Sequence, residues 1–237
     1  MDMLNEIYEY IKSFSNLFYP ELCISCHQKE REVYDSFCFD CFAKLPFTNF
    51  KNFRDNEFTD HFRSKKYIET GNSLFFFVKQ GHVQKLIQEL KYKNKPHFGL
   101  KLGNIMGETN YGKFIRENID IIVPVPLHKN KEIKRGYNQS QMFAQGLSKS
   151  TGKTLSVKNM IRTKNTSTQT KMNREQRLAN LKNAFSILHP EEYRDKHILI
   201  VDDVLTTGST LLECAFALKN VSGIKISLAT IAMGEPI

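Results

Sequence analysis

The sequence contains no run of about eighteen consecutive apolar residues, and this absence excludes a membrane-spanning helix from the expected structure. Its first twenty residues carry early acids and lack a cationic leader, so they do not fit a secretory signal.

Cysteine is also scarce. The chain has five, an odd number that includes two CxxC pairs. This pattern disfavours a disulfide framework, fits a reducing compartment and predicts a cytoplasmic protein.

Acidic residues are outnumbered, with 25 Asp and Glu against 34 Lys and Arg, which leaves a formal charge of +9. Such an excess favours anionic partners such as phosphates or nucleic acid, although the same charge also serves solubility alone. Hydrophobic residues make up 41% of the chain. That content predicts a packed core and argues against disorder over the whole chain.

The order of apolar segments predicts an α/β fold. Strand patterns occur at SLFFFV (73–78), IDIIVPVP (119–126), HILIVDDV (197–204) and IKISLATIA (224–232). Helical spacing occurs between them, for example in HVQKLIQELKY. Strands that alternate with helices form a parallel sheet flanked by helices. The predicted domain limits are 1–45 for an N-terminal helix and a cysteine module, 46–70 for a connector, and 71–237 for the α/β domain.

The two cysteine pairs predict a metal module. Cys23 and Cys26 form one pair, Cys38 and Cys41 form the other, and eleven residues separate the pairs. Each CxxC turn places two sulfurs on one side of a metal, and two such turns complete a tetrahedron. Thiolates favour zinc, and four protein ligands leave no open position, so we expect a structural zinc site rather than a catalytic one. A redox pair and unliganded thiols are the alternatives.

The segment HILIVDDVLTTGSTLLECAFAL (197–218) predicts a ligand site. Asp202 and Asp203 lie at the carboxyl end of a buried strand, where ligands of open parallel sheets bind. The TTGST turn that follows opens a helix, so backbone N–H groups and hydroxyls can converge on one anion. Carboxylates accept hydrogen bonds from vicinal hydroxyls. A phosphate beside a diol describes ribose 5-phosphate.

Other nucleotide and phosphate motifs are missing. The TTGST turn contains no Gly-Lys-Ser/Thr and is not a Walker loop, and the chain has no GxGxxG dinucleotide fingerprint. ILIVDD also occurs in response-regulator receivers, but no aspartate follows Asp203 to serve as the acceptor on a later strand.

Two basic segments are further candidates. In the loop after Pro126, backbone amides near Leu127 and His128 can meet an anion, and Arg135 can make a forked contact to phosphate. A solvated charged loop explains the same residues. The segment at 162–177, RTKNTSTQTKMNREQR, fits a loop that closes over a substrate, a surface loop without a role, or a nucleic-acid surface. Lys91 and its neighbours at the end of HVQKLIQELKY contribute only positive charge.

The 197–218 segment resembles the phosphoribosyl pyrophosphate motif of type I phosphoribosyltransferases. That resemblance implies that Asp202 and Asp203 hold the ribose hydroxyls, that the following loop holds the 5-phosphate, and that magnesium accompanies the pyrophosphate. It also implies that the loop after Pro126 contacts the pyrophosphate. The predicted binding residues are Asp202, Asp203, Val204, Leu205, Thr206, Thr207, Gly208, Ser209, Thr210, Leu127, His128 and Arg135.

The succession of the cysteine module, LIQELKYKN, VPVPLHKNKEIKRGYNQS and ILIVDDVLTTGST resembles the ComF family of competence proteins. The family joins a zinc finger to a phosphoribosyltransferase domain. The resemblance implies a role in natural transformation and DNA uptake, acting on incoming single-stranded DNA with a helicase partner. The alternatives are a metabolic phosphoribosyltransferase, acting by nucleobase or amido transfer, and a nucleic-acid-binding module with a vestigial phosphate site. No general base is evident, and the residues leave open whether transfer occurs.

Overall fold

The structure is a computed structural model, and it describes residue 14 and residues 22–30, 33, 37–79, 81–92, 95–127, 132–133, 135–163 and 184–234. The chain divides into two compact units, Met1–Leu45 and Pro46–Ile237. The predicted N-terminal helix lies outside the described residues apart from Phe14, as do His128 and most of the basic segment at 162–177. The domain limits drawn from the sequence stay a prediction.

The first unit contains one short helix, α1 (Phe39–Ala43), within its described residues. Single antiparallel bridges join Leu22 to Glu30 and Val33 to Phe37. The first bridge closes the turn that carries Cys23 and Cys26, and the second lies directly before the second cysteine pair.

The second unit is built on a sheet with the five strands β1 (Ile68–Phe77), β2 (Ile121–Pro124), β3 (Thr154–Leu155), β6 (His197–Leu205) and β7 (Lys225–Gly234). Their order is β1-β7-β6-β2-β3, and all four neighbouring pairs are parallel. A separate antiparallel pair is formed by β4 (Met160–Arg162) and β5 (Phe185–Ile187). The prediction of an α/β fold with a parallel sheet is confirmed.

Helices connect the strands. They are α2 (Glu57–Asp60), α3 (His82–Tyr92), α4 (Pro96–Gly107), α5 (Asn110–Asn118), α6 (Gln139–Thr151) and α7 (Ser209–Leu218), with a 3-10 turn at Pro190–Tyr193. Local sequence sets several of their ends. Asn138 accepts hydrogen bonds from the first turn of α6, and Gly152 ends that helix in the left-handed conformation with φ of 73°. Among the described residues, no helix combines the length and apolar character needed to cross a bilayer.

Helices α4 and α6 approach each other closely enough that only glycine fits at their contact. A Cβ on Gly103 would lie 2.2 Å from the carbonyl oxygen of Phe143, and a Cβ on Gly146 would lie 2.0 Å from that of Leu100. Both distances are far below van der Waals contact. The close approach fixes the position of α6, whose first turn lies near the carboxyl end of the sheet.

The core surrounds the central strand β6. Residues Ile198, Leu199, Ile200 and Val201 are all fully buried, as expected for a parallel strand covered on both faces. Phe58 and Phe62, from the segment at 46–70, are buried in the same core. Burial of such a side chain stabilises the fold by about 1.5–3 kcal/mol. The polar and aromatic character of 46–70 did not reveal this packing, because aromatic residues without a regular period carry no strand or helix signal.

Candidate functional site

The carboxyl end of β2 lies beside Val201 of β6. Pro124 pairs with Val201, and the N–H of Val125 donates to the carbonyl of Val201 at 2.8 Å. The residues that follow β2 and the acids that follow Val201 therefore lie at one edge of the sheet. Ligands of open parallel sheets bind at this edge.

The first turn of α6 is attached to both strand ends. The Asn138 side-chain amide donates to the carbonyl of Val125 at 3.0 Å, and its Oδ1 accepts from the N–H of Ser140 at 3.1 Å. The Ser140 hydroxyl then donates to Asp202 Oδ1 at 2.9 Å. Ser140 is a site residue that the sequence reasoning missed. The asparagine cap at the start of a helix after a basic loop is the signal that marks this turn.

Asp202 lies in an environment that disfavours its charge. Burial and the neighbouring charge of Asp203 raise the pKa of Asp202 to about 7, although hydrogen bonds from the Asp203 N–H and the Ser140 hydroxyl lower it in part. The carboxylate is thus costly to hold ionised without further partners. Ligand hydroxyls and cations are the partners that favour an ionised carboxylate.

Asp203 is already paired with a cation. Lys91 Nζ lies 2.9 Å from Asp203 Oδ2, and the two side chains are 22% and 15% exposed. The sequence assigned Lys91 nothing beyond positive charge, because the contact joins the end of α3 to the end of β6 across 112 residues. The fold therefore places Lys91 beside the predicted acidic pair.

The predicted phosphate loop is a tight turn that requires glycine. Gly208 has φ of 75°, and a Cβ at this position would lie 2.8 Å from Cε1 of the buried Phe62 ring. The hydroxyls of Thr207 and Ser209 are 2.9 Å apart. Gly208 occupies the N-cap position of α7 and provides no side-chain acceptor for the N–H groups of its first turn. A helix start of this kind suits an anion.

The remaining predicted residues have different surroundings. Thr206 is exposed, and Thr207 and Thr210 are half-buried, whereas Ser209 is buried. Val204 and Leu205 complete β6, and the Leu205 side chain packs in the core. Leu127 is half-buried just beyond β2, and Arg135 donates to Gln139 Oε1 at 2.9 Å near the start of α6. His128 lies outside the described residues.

The four cysteines of the first unit form a compact cluster. Their sulfurs all lie within 4.8 Å of one another, and those of Cys26 and Cys38 are 3.9 Å apart. Sulfurs placed tetrahedrally at ~2.3 Å from zinc are about 3.8 Å apart. The donor set and its spacing therefore fit a structural zinc site.

The thiol environments also favour a cation. Backbone N–H groups of Gln28 and Lys29 lower the pKa of Cys26 to about 6, whereas burial raises the pKa of Cys41 to about 12. Burial raises the pKa of Cys38 as well. A metal ion supplies the positive charge that four neighbouring thiolates require.

Comparisons with known proteins agree with this arrangement. The phosphoribosyl transferase domain family matches residues 131–235, which include α6, β6, the Gly208 turn and α7. A solved structure of the allosteric regulatory enzyme of purine biosynthesis superposes with a TM-score of 0.37 and 16% identity, covering 60% of this chain and 29% of that one. That superposition is too weak to bear on the fold.

Two curated relatives are similar in sequence. Competence protein F of Haemophilus influenzae is 38% identical over 107 residues, which cover 43% of this chain and 45% of that protein. DNA utilization protein YhgH of Escherichia coli K12 is 43% identical over 96 residues, which cover 40% and 41% of the two chains. The match thus spans less than half the length of either relative. The chain is thus similar to competence protein F and to DNA utilization protein YhgH over part of its length, its residues 131–235 match the phosphoribosyl transferase domain family, and a cluster of four cysteines lies outside that match.

Proposed function

We propose that the second unit binds phosphoribosyl pyrophosphate with magnesium at the carboxyl end of β6. The observation that carries this proposal is the direct succession of an acidic pair, a left-handed glycine turn and a helix start at one edge of a parallel sheet. The match to the phosphoribosyl transferase domain supports it.

The two ends of the ligand meet different chemistry in this proposal. Asp202 and Asp203 accept hydrogen bonds from the ribose hydroxyls, with Asp202 oriented by the Ser140 hydroxyl. The 5-phosphate lies against the turn from Thr206 to Thr210 and the first N–H groups of α7. Arg135 and the backbone near Leu127 and His128 contact the pyrophosphate.

Magnesium fits the donor set of this site because carboxylate oxygens are ligands that it prefers, together with phosphate oxygens and water. Asp202 and Asp203 are the carboxylates that would hold it, directly or through water. When bound, the ion neutralises charge on the pyrophosphate. Ligand binding serves either transfer of the phosphoribosyl group to an acceptor or regulation of the protein.

In the cell, we propose a cytoplasmic role in DNA utilisation during competence, as the names of the two relatives suggest. The chain would act on incoming single-stranded DNA in natural transformation, together with a helicase. Its positive charge supports contact with a polyanion. The four cysteines would hold a structural zinc ion that stabilises the first unit.

Titration calorimetry with phosphoribosyl pyrophosphate and magnesium tests the ligand. The wild type should release heat and saturate at one site. The double variant Asp202→Asn, Asp203→Asn should lose this binding while it stays folded, because amides cannot replace two carboxylates as diol and metal ligands.

A matched control removes two acids elsewhere. Glu108 directly follows α4, Glu117 lies near the end of α5, and both are exposed, so the variant Glu108→Gln, Glu117→Gln should bind like the wild type. Unchanged affinity in the Asp202, Asp203 variant would refute the assignment of the diol. Absence of binding by the folded wild type would refute the proposed function.

A further inference from the structure

Lys91 lies in a position that distinguishes it from the surface lysines of the chain. It belongs to the last turn of α3, and its ammonium contacts Asp203 at 2.9 Å with only 22% of the side chain exposed. The pair Lys113–Glu117 illustrates the ordinary case, with 73% and 59% exposure and a separation of 3.9 Å. Lys91 therefore packs against the sheet edge that carries the acidic pair.

A partly buried ion pair is a weak device for stability. Desolvation of both charges and the fixed conformation of a long side chain offset much of the attraction. The position is better explained by a ligand, since an ammonium group has three N–H donors and Asp203 accepts from one of them.

The chemistry of the proposed ligand selects its pyrophosphate as the partner. The pyrophosphate is attached to C1 of the ribose, beside the C2 hydroxyl, whereas the 5-phosphate is at the far side of the ring. A cation in contact with the carboxylate that holds the diol therefore lies closer to the pyrophosphate. The Gly208 turn and α7, which follow the acids along the chain, are assigned to the 5-phosphate.

We propose that Lys91 is a ligand-binding residue that keeps its contact with Asp203 and donates a second hydrogen bond to the pyrophosphate. This inference rests on the proposed function. In the absence of ligand the same lysine balances the charge of the acidic pair. When the ligand binds, it bridges the group that holds the sugar and the group that leaves the sugar in a transfer reaction.

The test compares two ligands and two lysines. Binding of phosphoribosyl pyrophosphate and of ribose 5-phosphate, each with magnesium, is measured for the wild type, Lys91→Met and Lys85→Met. Lys85 is an exposed lysine of the same helix, so its variant removes equal charge away from the acids. Lys91→Met should weaken phosphoribosyl pyrophosphate binding roughly ten- to a hundredfold, as for loss of a hydrogen bond to a charged group.

The same variant should change ribose 5-phosphate affinity by less than about threefold, which is the size of a screened long-range charge effect. Lys85→Met should leave both affinities near the wild type. Lys91→Gln provides a second variant that keeps polarity, and thermal unfolding checks that each protein is folded. An equal loss for both ligands would show that Lys91 acts only through Asp203, and an unchanged affinity would also overturn the inference.

Two results separate the role of Lys91 from the proposed function. If the wild type binds phosphoribosyl pyrophosphate and Lys91→Met binds it equally well, the inference alone is wrong. If the folded wild type binds neither ligand, the proposed function is wrong and the role of Lys91 falls with it.

Discussion

At the scale of single residues, Asp202 lies in an environment that costs stability when its carboxyl is ionised. Its carboxyl is half-buried beside a second acid, and its pKa is raised from 3.8 to about 7. The folded state therefore binds this proton more tightly than the unfolded state does. Between about pH 4 and pH 7 the free energy of unfolding falls as pH rises, and above pH 7 this loss is complete.

The substitution Asp202→Asn should remove this pH-dependent loss of stability. The amide keeps Oδ1 as an acceptor for the Ser140 hydroxyl and carries no charge. The variant should therefore gain stability relative to the wild type between pH 5 and pH 8, by an amount on the order of a few kcal/mol. Urea unfolding of both proteins at the two pH values measures the gain.

Glu117→Gln, which changes an exposed side chain, serves as the control and should show no such pH-dependent gain. An Asp202→Asn variant whose stability relative to the wild type is the same at pH 5 and pH 8 would contradict the raised pKa. Lost ligand binding combined with gained stability at pH 8 would identify Asp202 as a functional rather than a structural residue.

At the scale of elements, the Gly208 turn connects β6, which carries both acids, to α7, the helix whose first turn we propose as the anion site. Two glycines in the left-handed conformation allow the turn to be tested. Gly152 ends α6 with φ of 73° and has open space around its Cβ position, whereas the Cβ position of Gly208 meets the Phe62 ring.

Alanine at Gly152 should cost about 1–2 kcal/mol, from backbone strain alone. Alanine at Gly208 should cost about 2–4 kcal/mol, because displacement of a buried ring is added to the same strain. It should also weaken phosphate binding, since any shift of the turn moves the first N–H groups of α7. Thermal unfolding and calorimetry measure the two effects. Equal destabilisation by the two substitutions would contradict this, because it would mean that the Phe62 ring moves aside without a cost in stability.

The elements also show what the sequence can and cannot predict. The apolar runs of β2 and β6 are local, so both strands and the acids at the end of β6 were predicted. Ser140 and Lys91 could not be assigned a role, because their contacts to Asp202 and Asp203 depend on how α6 and α3 are placed against β6. Long-range placement of this kind has no periodic signal.

At the scale of the whole molecule, the four cysteines and the residues that match the phosphoribosyl transferase domain family fall in separate compact units. The cysteine cluster was predictable because CxxC spacing alone brings sulfurs together in pairs. The packing of the segment 46–70 was not predictable, because Phe58 and Phe62 are recognised as core residues only when the strands they cover are known.

Cys38→Ser should release zinc and destabilise the first unit, because a small module depends on its metal for folding energy. Metal analysis and hydrogen exchange measure the outcome, and protection should fall for amides at 22–30 and 37–45. Cys214→Ser changes a buried cysteine of the second unit and should leave the zinc content unchanged. A wild-type protein purified under reducing conditions without zinc would rule out the metal module.

The central claim is that the end of β6 and the start of α7 together hold a phosphorylated ribose. A crystal of the wild-type protein soaked with phosphoribosyl pyrophosphate and magnesium tests it most directly. The account predicts that the 5-phosphate accepts hydrogen bonds from N–H groups between Thr206 and Thr210, with the ribose hydroxyls on Asp202 and Asp203. Ligand density elsewhere, or a phosphate that avoids the Gly208 turn, would contradict it.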